Sequence, residues 1–380
     1  MKILFICPSL EEGSDGVGDY ARRMSSEVIR AGHHASIIAL NDMHLAPQQQ
    51  ERIQYDRGLA IRVLRLSSRL SWGERITLAG NFIRLARPDW ISLQYVPYGF
   101  QKKGLPFGLG GSLKKITADI PCHIMFHEMW VGITRLSPLK HKLYGFFQTR
   151  IAREMVRKLN PRIITTSNRL YQLVLENKQI EAGILPLFSN ISLMPKDVQF
   201  ADSVYKQLGI LQHERQNYVV IGLFGSLYPG CDLESTIRDQ YQAALSVGKK
   251  LAFIAFGRIG AKDAYEKLKT EFENQVTFAN LGELPEARVS TVLQLLDKAI
   301  SGTPRQHYGK SGVYAAMKLH KLEVLTSSWS SIPEYDSQIS AYNDFLEERD
   351  PEEWSTQFVS NEFLNMLVNS NSKATVPKLT

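Results

Sequence analysis

A chain of 380 residues exceeds what one hydrophobic core usually supports, so two domains of about 150–200 residues are expected. With 44% hydrophobic and 22% charged residues, 26 Gly and 16 Pro, the composition is that of an ordinary globular protein and excludes a disordered, collagenous or repeat architecture for its bulk. The net charge of +7 is uneven: residues 1–190 carry 26 Lys+Arg against 15 Asp+Glu, residues 191–380 carry 19 against 23.

The opening run, Lys2–Cys7, has only five apolar residues, too few for a signal peptide, and is soon followed by Glu11 and Glu12, so it reads as a first strand. Further strand-like runs are expected at Ala35–Leu40, Ile61–Leu66, Trp90–Tyr95, Cys122–Phe126 and Arg162–Thr166. Between the first two, Val17, Ala21, Met24 and Val28 give a helix one apolar face, and Gly32 marks its stop. The loop Gly13-Ser14-Asp15-Gly16-Val17-Gly18 opens that helix; it could bring backbone N–H groups to a diphosphate or serve only as a tight turn. It departs from the dinucleotide spacing because Ala21 stands where a third glycine would, although Asp42 ends strand two where a ribose-binding acid would lie.

His127 and Glu128 follow the strand Cys122–Phe126, where catalytic groups gather in open α/β sheets; an ordinary surface pair is the alternative. Lys140, Lys142, Arg150, Arg153, Arg157, Lys158 and Arg162 then surround Leu143, Tyr144, Phe146 and Phe147. This reads as a basic amphipathic helix, suited to anionic lipid or simply a solvated face packed on its own domain. No stretch approaches the roughly 18 apolar residues of a membrane span.

Polar, proline-containing sequence at residues 188–215 is expected to be the interdomain linker. A second series of strands follows at Tyr218–Phe224, Leu251–Phe256, Gln275–Ala279, Lys298–Ser301 and Leu322–Thr326. Alternation with helices predicts parallel sheets, with ligands in a cleft between two Rossmann-like domains. After Ser301 comes Gly302-Thr303-Pro304-Arg305-Gln306-His307-Tyr308-Gly309-Lys310-Ser311-Gly312 and then a helix that Ser311 can cap. A helix start beside Arg305 and Lys310 suits a diphosphate, although the P-loop spacing is absent. Pro351–Leu367 is expected to be helical, with a frayed tail. Cys7, Cys122 and Cys231 lie far apart without a C-x-x-C pair, which argues against a disulfide framework or a zinc site and points to a reducing compartment.

In this order the segments resemble the GT-B glycosyltransferases, glycosyltransferase family 4 in particular, over nearly the whole chain. Gly16-Val17-Gly18-Asp19-Tyr20-Ala21 is similar to the family's first glycine loop, and His127 stands where the family places a histidine touching the donor hexose. Leu223-Phe224-Gly225-Ser226-Leu227 resembles the opening of the nucleotide domain and Phe256-Gly257-Arg258 the next strand end. Phe278-Ala279-Asn280-Leu281-Gly282-Glu283-Leu284 resembles the base-reading loop. Val324-Leu325-Thr326-Ser327 and Ile332-Pro333-Glu334 resemble the closing strand and turn.

The departures fall at the donor site. The family's two acids, eight residues apart, fall on Tyr308 and Ala316, or on His307 and Ala315 one residue earlier. Its nucleotide-domain arginine is Ser226, and its lysine is missing near Gly230 and Cys231. Lys310-Ser311-Gly312 looks like a basic variant found in the wider group.

The resemblance implies an α/β GT-B fold with an acceptor domain at 1–190, a nucleotide-sugar domain at 191–345 and a helical segment at 346–380 packing back across the boundary. It implies a metal-independent, retaining hexosyltransferase; the cysteine usage points to the cytoplasm, and the basic first half to the inner face of a membrane and to lipid-linked or surface polysaccharide assembly. The donor is a nucleoside diphosphate sugar, UDP-sugar favoured over GDP-sugar, with no cofactor. The acceptor is a sugar or lipid-linked saccharide, and nucleic acid is not expected as a partner. His127 and Glu128 are the catalytic candidates. Donor binding falls to Gly16, Val17, Gly18, Gly225, Ser226, Arg258, Leu281, Gly282, Arg305, His307, Tyr308, Gly309, Lys310, Ser311 and Gly312. Two alternatives follow from the lost acids and the shared architecture: a binding scaffold without transfer, and a sugar-nucleotide epimerase.

Overall fold

The computed structural model describes residues 1–46, 49–226, 231–258, 262–326 and 335–373. Leu227, Gly230, Ser327 and the Ile332-Pro333-Glu334 turn, all singled out in the sequence, lie outside the described residues. Two α/β units make up the chain: Met1–Pro186 with the chain from Ser360 onward, and Leu187–Val359.

The first unit contains β1 (Lys2–Cys7), β2 (His34–Asp42), β3 (Gln49–Asp56), β4 (Leu59–Ser67), β5 (Trp90–Tyr95), β6 (Cys122–Phe126), β7 (Ile163–Thr166) and β8 (Gly183–Ile184). They form one sheet in the order β3-β4-β2-β1-β5-β6-β7-β8. β1, β5 and β6 are buried along almost their whole lengths, which is why they read as continuous apolar runs and not as alternating ones. The helix Gly16–Arg30 connects β1 to β2 and buries Tyr20, Ala21, Met24 and Val28. β1 lies between β2 and β5, so the strand order reverses there.

β3 departs from the expected all-parallel pattern. It pairs antiparallel with β4 across a two-residue turn, Arg57-Gly58, in which both residues have positive φ (47° and 78°). This conformation matches the twist of a hairpin. The strand escapes the sequence reading because its polarity is inverted: Ile53 and Tyr55 are exposed, whereas Gln54 is buried and accepts a 3.2 Å hydrogen bond from Arg22 Nε.

The second unit holds β9 (Tyr218–Phe224), β10 (Lys250–Phe256), β11 (Val276–Asn280), β12 (Lys298–Ser301) and β13 (Glu323–Thr326), all parallel, in the order β11-β10-β9-β12-β13. Its order reverses between β9 and β12. Residues 188–215 are not the expected linker. Their helix Val198–Gln207, capped by Asp197, places Ala201 and Val204 in the core beside Val220, Ile254 and Leu293. Ser192, Met194 and Asp197 also bond to Glu286, Ser290 and Thr291 of the helix Glu286–Leu295.

A single turn of 3-10 helix, Pro351–Trp354, precedes the final helix, Thr356–Lys373. Helix thus extends through the first part of the tail that was expected to fray. From Ser360 onward it belongs to the first unit, where the Phe363 ring lies 5.9 Å from Phe5 and 5.1 Å from His123. Among the described residues no helix is long and apolar enough to cross a membrane.

Candidate functional site

In an open α/β sheet, ligands collect beyond the carboxyl ends of the strands where the order reverses. In the second unit that point lies between β9 and β12, and a cavity of about 440 Å³ opens there. One wall is Phe224-Gly225-Ser226, directly after β9; another is Gly302-Thr303, directly after β12. His307, Lys310, Ser311, Gly312, Val313 and Arg258 complete it.

Local chemistry shapes these walls. Gly225 turns at a φ of 81° while its N–H donates to Phe256 O, and Gly257 turns at 84° with its N–H on Gly282 O. A Cβ at Gly257 would lie 3.1 Å from the Phe224 ring, itself stacked on Phe256 at 4.9 Å, so bare backbone is needed for these strand ends to come together. Ser226 Oγ donates to Arg258 O at 2.9 Å and ties the two loops together.

Ser311 caps the helix Gly312–Leu319 by accepting from Tyr314 N at 3.1 Å, and its hydroxyl lies 3.0 Å from Thr303 Oγ1. An α-helix cannot satisfy its own opening N–H groups, so the first-turn residues Gly312 and Val313 present the cavity with a positive helix end. Lys310 adds a cation. Burial, then the Lys310 charge, pulls His307 down to about 4, which keeps it neutral near pH 7. Arg258 reaches the cavity while paired with Glu283 at 3.2 Å; both are exposed, so the pair is a weak hold.

Other donor-site candidates are directed elsewhere. Arg305 does not line the cavity: Asp344 at 2.6 Å and Glu347 at 3.1 Å hold it on the helix Asp336–Glu348. Tyr308 is a core residue, stacked 3.9 Å from Tyr314, whose ring meets Trp354 edge-on. Gly309 accepts from Leu187 N at 2.7 Å. Leu281 N donates to Ala255 O and Gly282 N to Asn280 Oδ1, so both serve the turn after β11 and neither lines the cavity.

In the first unit the glycine loop is already supplied with an anion. Asp15 caps the helix Gly16–Arg30, its carboxylate accepting from Val17 N and Gly18 N at 2.9 Å each. Those two donors are therefore engaged, and Gly16 is exposed at the helix start. Gly18 has a packing role: a Cβ there would lie 2.4 Å from Ser9 O. Asp42 is a structural acid and not a ribose ligand. Burial raises its pKa, but Arg65 at 2.7 Å and the N–H groups of Leu10 and His44 outweigh this and hold it below the usual range.

His127 is buried at the end of β6, its backbone N–H on Tyr95 O, its Nε2 2.8 Å from Gln94 Oε1, and its ring against the Tyr20 ring edge at 4.8 Å. Glu128 follows, half-buried. Behind His127 runs a buried polar chain that the sequence reading missed. Gln94 Nε2 donates to Ser92 Oγ at 2.7 Å, Ser92 Oγ lies 2.9 Å from His123 Nδ1, and His123 Nε2 lies 2.8 Å from Thr165 Oγ1. With its amide so oriented, Gln94 presents oxygen to His127 and sets Nε2 as the protonated nitrogen. The signal was present as Ser92 and Gln94 alternating inside the buried run Trp90–Tyr95.

No family model and no curated protein matches this chain. Solved structures do. The sucrose-phosphate synthase of Thermosynechococcus elongatus shares 12% identity at a TM-score of 0.57, with 98% of this chain and 100% of that one covered. A glycosyltransferase from Rickettsia africae shares 11% at 0.55, covering 97% and 98%. The pneumococcal O-GlcNAc transferase GtfA, solved with UDP and GlcNAc, shares 9% at 0.50, covering 98% and 99%. At such identities the likeness speaks for architecture, and architecture is what it establishes: this chain has the GT-B fold.

Proposed function

We propose that this chain is a glycosyltransferase similar to family 4, moving a hexose from a nucleoside diphosphate sugar, UDP-sugar in the first instance, to an acceptor hydroxyl with retention of configuration. The observation that carries this reading is the cavity at the β9/β12 reversal, where the capped start of the helix Gly312–Leu319 and Lys310 share one wall. As the glycosidic bond breaks, charge builds on the leaving diphosphate. The helix start, Lys310 and Arg258 would stabilise that charge with groups already in place, without calling on a metal. In the first unit, His127 and Glu128 are assigned to the hexose and acceptor, as the resemblance implies. The positive first half suits an acceptor that is anionic or lipid-linked, as in surface polysaccharide assembly at the inner face of a membrane.

Thermal unfolding with UDP-, GDP- and ADP-sugars tests donor binding. A ligand at 100 times its dissociation constant adds about 2.7 kcal/mol to the native state, a readable shift in midpoint. Release of nucleoside diphosphate only in the presence of an acceptor then identifies transfer. A flat response across all three sugars overturns the reading.

One observation favours a second reading. The positions of the family's paired acids are taken by Tyr308 and Ala316, both buried. A chain that binds the nucleotide sugar without turning it over, a scaffold, would give the thermal shift and no diphosphate release.

A further inference from the structure

The helix Leu139–Leu159 buries one face, through Gln148, Ile151, Ala152, Met155 and Leu159, and leaves the opposite face to solvent. On that outer face, residues three or four apart change in character along the axis. Leu139, Leu143, Phe146 and Phe147 come first, exposed to 83%, 63%, 55% and 41%; Arg150, Arg153 and Arg157 follow. Arg150 joins the two halves, its guanidinium 5.6 Å from the Phe146 ring centroid.

Beyond that junction lies a second cavity, of about 500 Å³, lined by Arg150, Arg153, Arg157 and Lys178 against the single carboxylate of Glu154. None of these four cations pairs with a carboxylate among the described residues. Around the apolar end of the helix, charge has one sign; at the cavity end Glu154 lines the wall, and Glu176, which pairs with Arg169, and Glu181 flank Lys178, Gln179 and Ile180. The sequence has no Asp or Glu between Glu128 and Glu154, nor between Asp89 and Asp119, and Tyr144 Oη donates to Lys103 O at 2.7 Å, holding the Lys102-Lys103 loop beside the apolar end of the helix.

We propose that this cavity binds the phosphate headgroup of an anionic lipid, and that the helix Leu139–Leu159 docks the first unit on an anionic membrane with Leu143, Phe146 and Phe147 entering the interface. Arginine forks suit phosphate oxygens, and an apolar stripe bordering them suits an acyl region; a free phosphate would use the first and leave the second in water. Docking here requires nothing of the β9/β12 cavity, so nucleotide-sugar binding read in the same samples reports separately on the transferase proposal.

Sedimentation of the full chain with phosphatidylcholine vesicles, with and without 30% phosphatidylglycerol, tests this. Partition onto the anionic vesicles only is expected, weakening as salt rises. Arg153→Glu/Arg157→Glu should lower it by about tenfold or more, since each reversed charge removes one attraction and adds one repulsion. Phe146→Ser/Phe147→Ser should keep the low-salt binding but lose what persists at high salt. Both pairs sit on the exposed face, and their thermal midpoints should match the parent within about 2 °C. No partition onto anionic vesicles, or partition unchanged by the arginine pair, overturns the proposal. So does glycerol 3-phosphate binding through these arginines while vesicles do not bind, which makes the ligand a soluble phosphate, or duplex DNA displacing the vesicles through them, which makes it nucleic acid.

Discussion

Arg305 and Lys310 stand at the two ends of one short 3-10 helix, Arg305–Lys310, yet their surroundings separate them. Lys310 lines the β9/β12 cavity, whereas Arg305 is held by Asp344 and Glu347. Lys310→Ala is therefore expected to weaken nucleoside diphosphate binding by about 1.5–3 kcal/mol, the worth of a charge-assisted bond, while Arg305→Ala leaves the dissociation constant within about twofold; calorimetric titration with UDP checks both. His307 supplies a pH dependence. Burial and the neighbouring Lys310 hold it at about 4 in the folded chain, below the ordinary 6.5. Between those values the unfolded chain binds a proton that the folded chain refuses, so stability is complete above about pH 6.5 and falls as pH drops toward 4. His123, lowered to about 3 by burial, acts in the same direction. Thermal midpoints measured from pH 7 to pH 4 should fall, and the slope should be shallower in His307→Gln.

Elements depend on a few junction residues. Ser311 closes the helix Gly312–Leu319 through Tyr314 N, and Ser311→Ala should cost about 1 kcal/mol, read as a lower urea midpoint. Gly18 is where the helix Gly16–Arg30 crosses the chain after β1. Gly18→Ala drives a methyl against Ser9 O and should cost about 1–3 kcal/mol by the same measurement. Most strands were legible: β1, β5, β6, β9 and β12 begin and end where their apolar runs do. β3 was not, because its buried position is Gln54 and its exposed ones are Ile53 and Tyr55, the reverse of the pattern that marks a half-buried strand. The helix Val198–Gln207 was lost inside polar sequence for a similar reason, since Ala201 and Val204 are its buried residues while Phe200 and Tyr205 pack on the core only in part.

At the scale of the molecule, the chain leaves the first unit after Pro186 and rejoins it at Ser360. The returning helix sets the Phe363 ring against those of Phe5 and His123, so it completes the core begun by the first strand. Phe363→Ala should destabilise the first unit by about 3–5 kcal/mol, and hydrogen exchange in β1 should report the loss. The amino-acid sequence by itself determined the α/β class, the two sheets with most of their parallel strands but not the antiparallel edge strand β3, and the glycine loops at strand ends, because buried parallel strands and tight turns are written in local apolar runs and small residues. Only the tertiary structure decided that Arg305 faces Asp344 and Glu347 and that Gln94 holds His127. Whether a charged or polar group serves a ligand or its own fold depends on which neighbour comes within about 3 Å. Folding brings many of those neighbours from distant parts of the chain, where no local pattern records them.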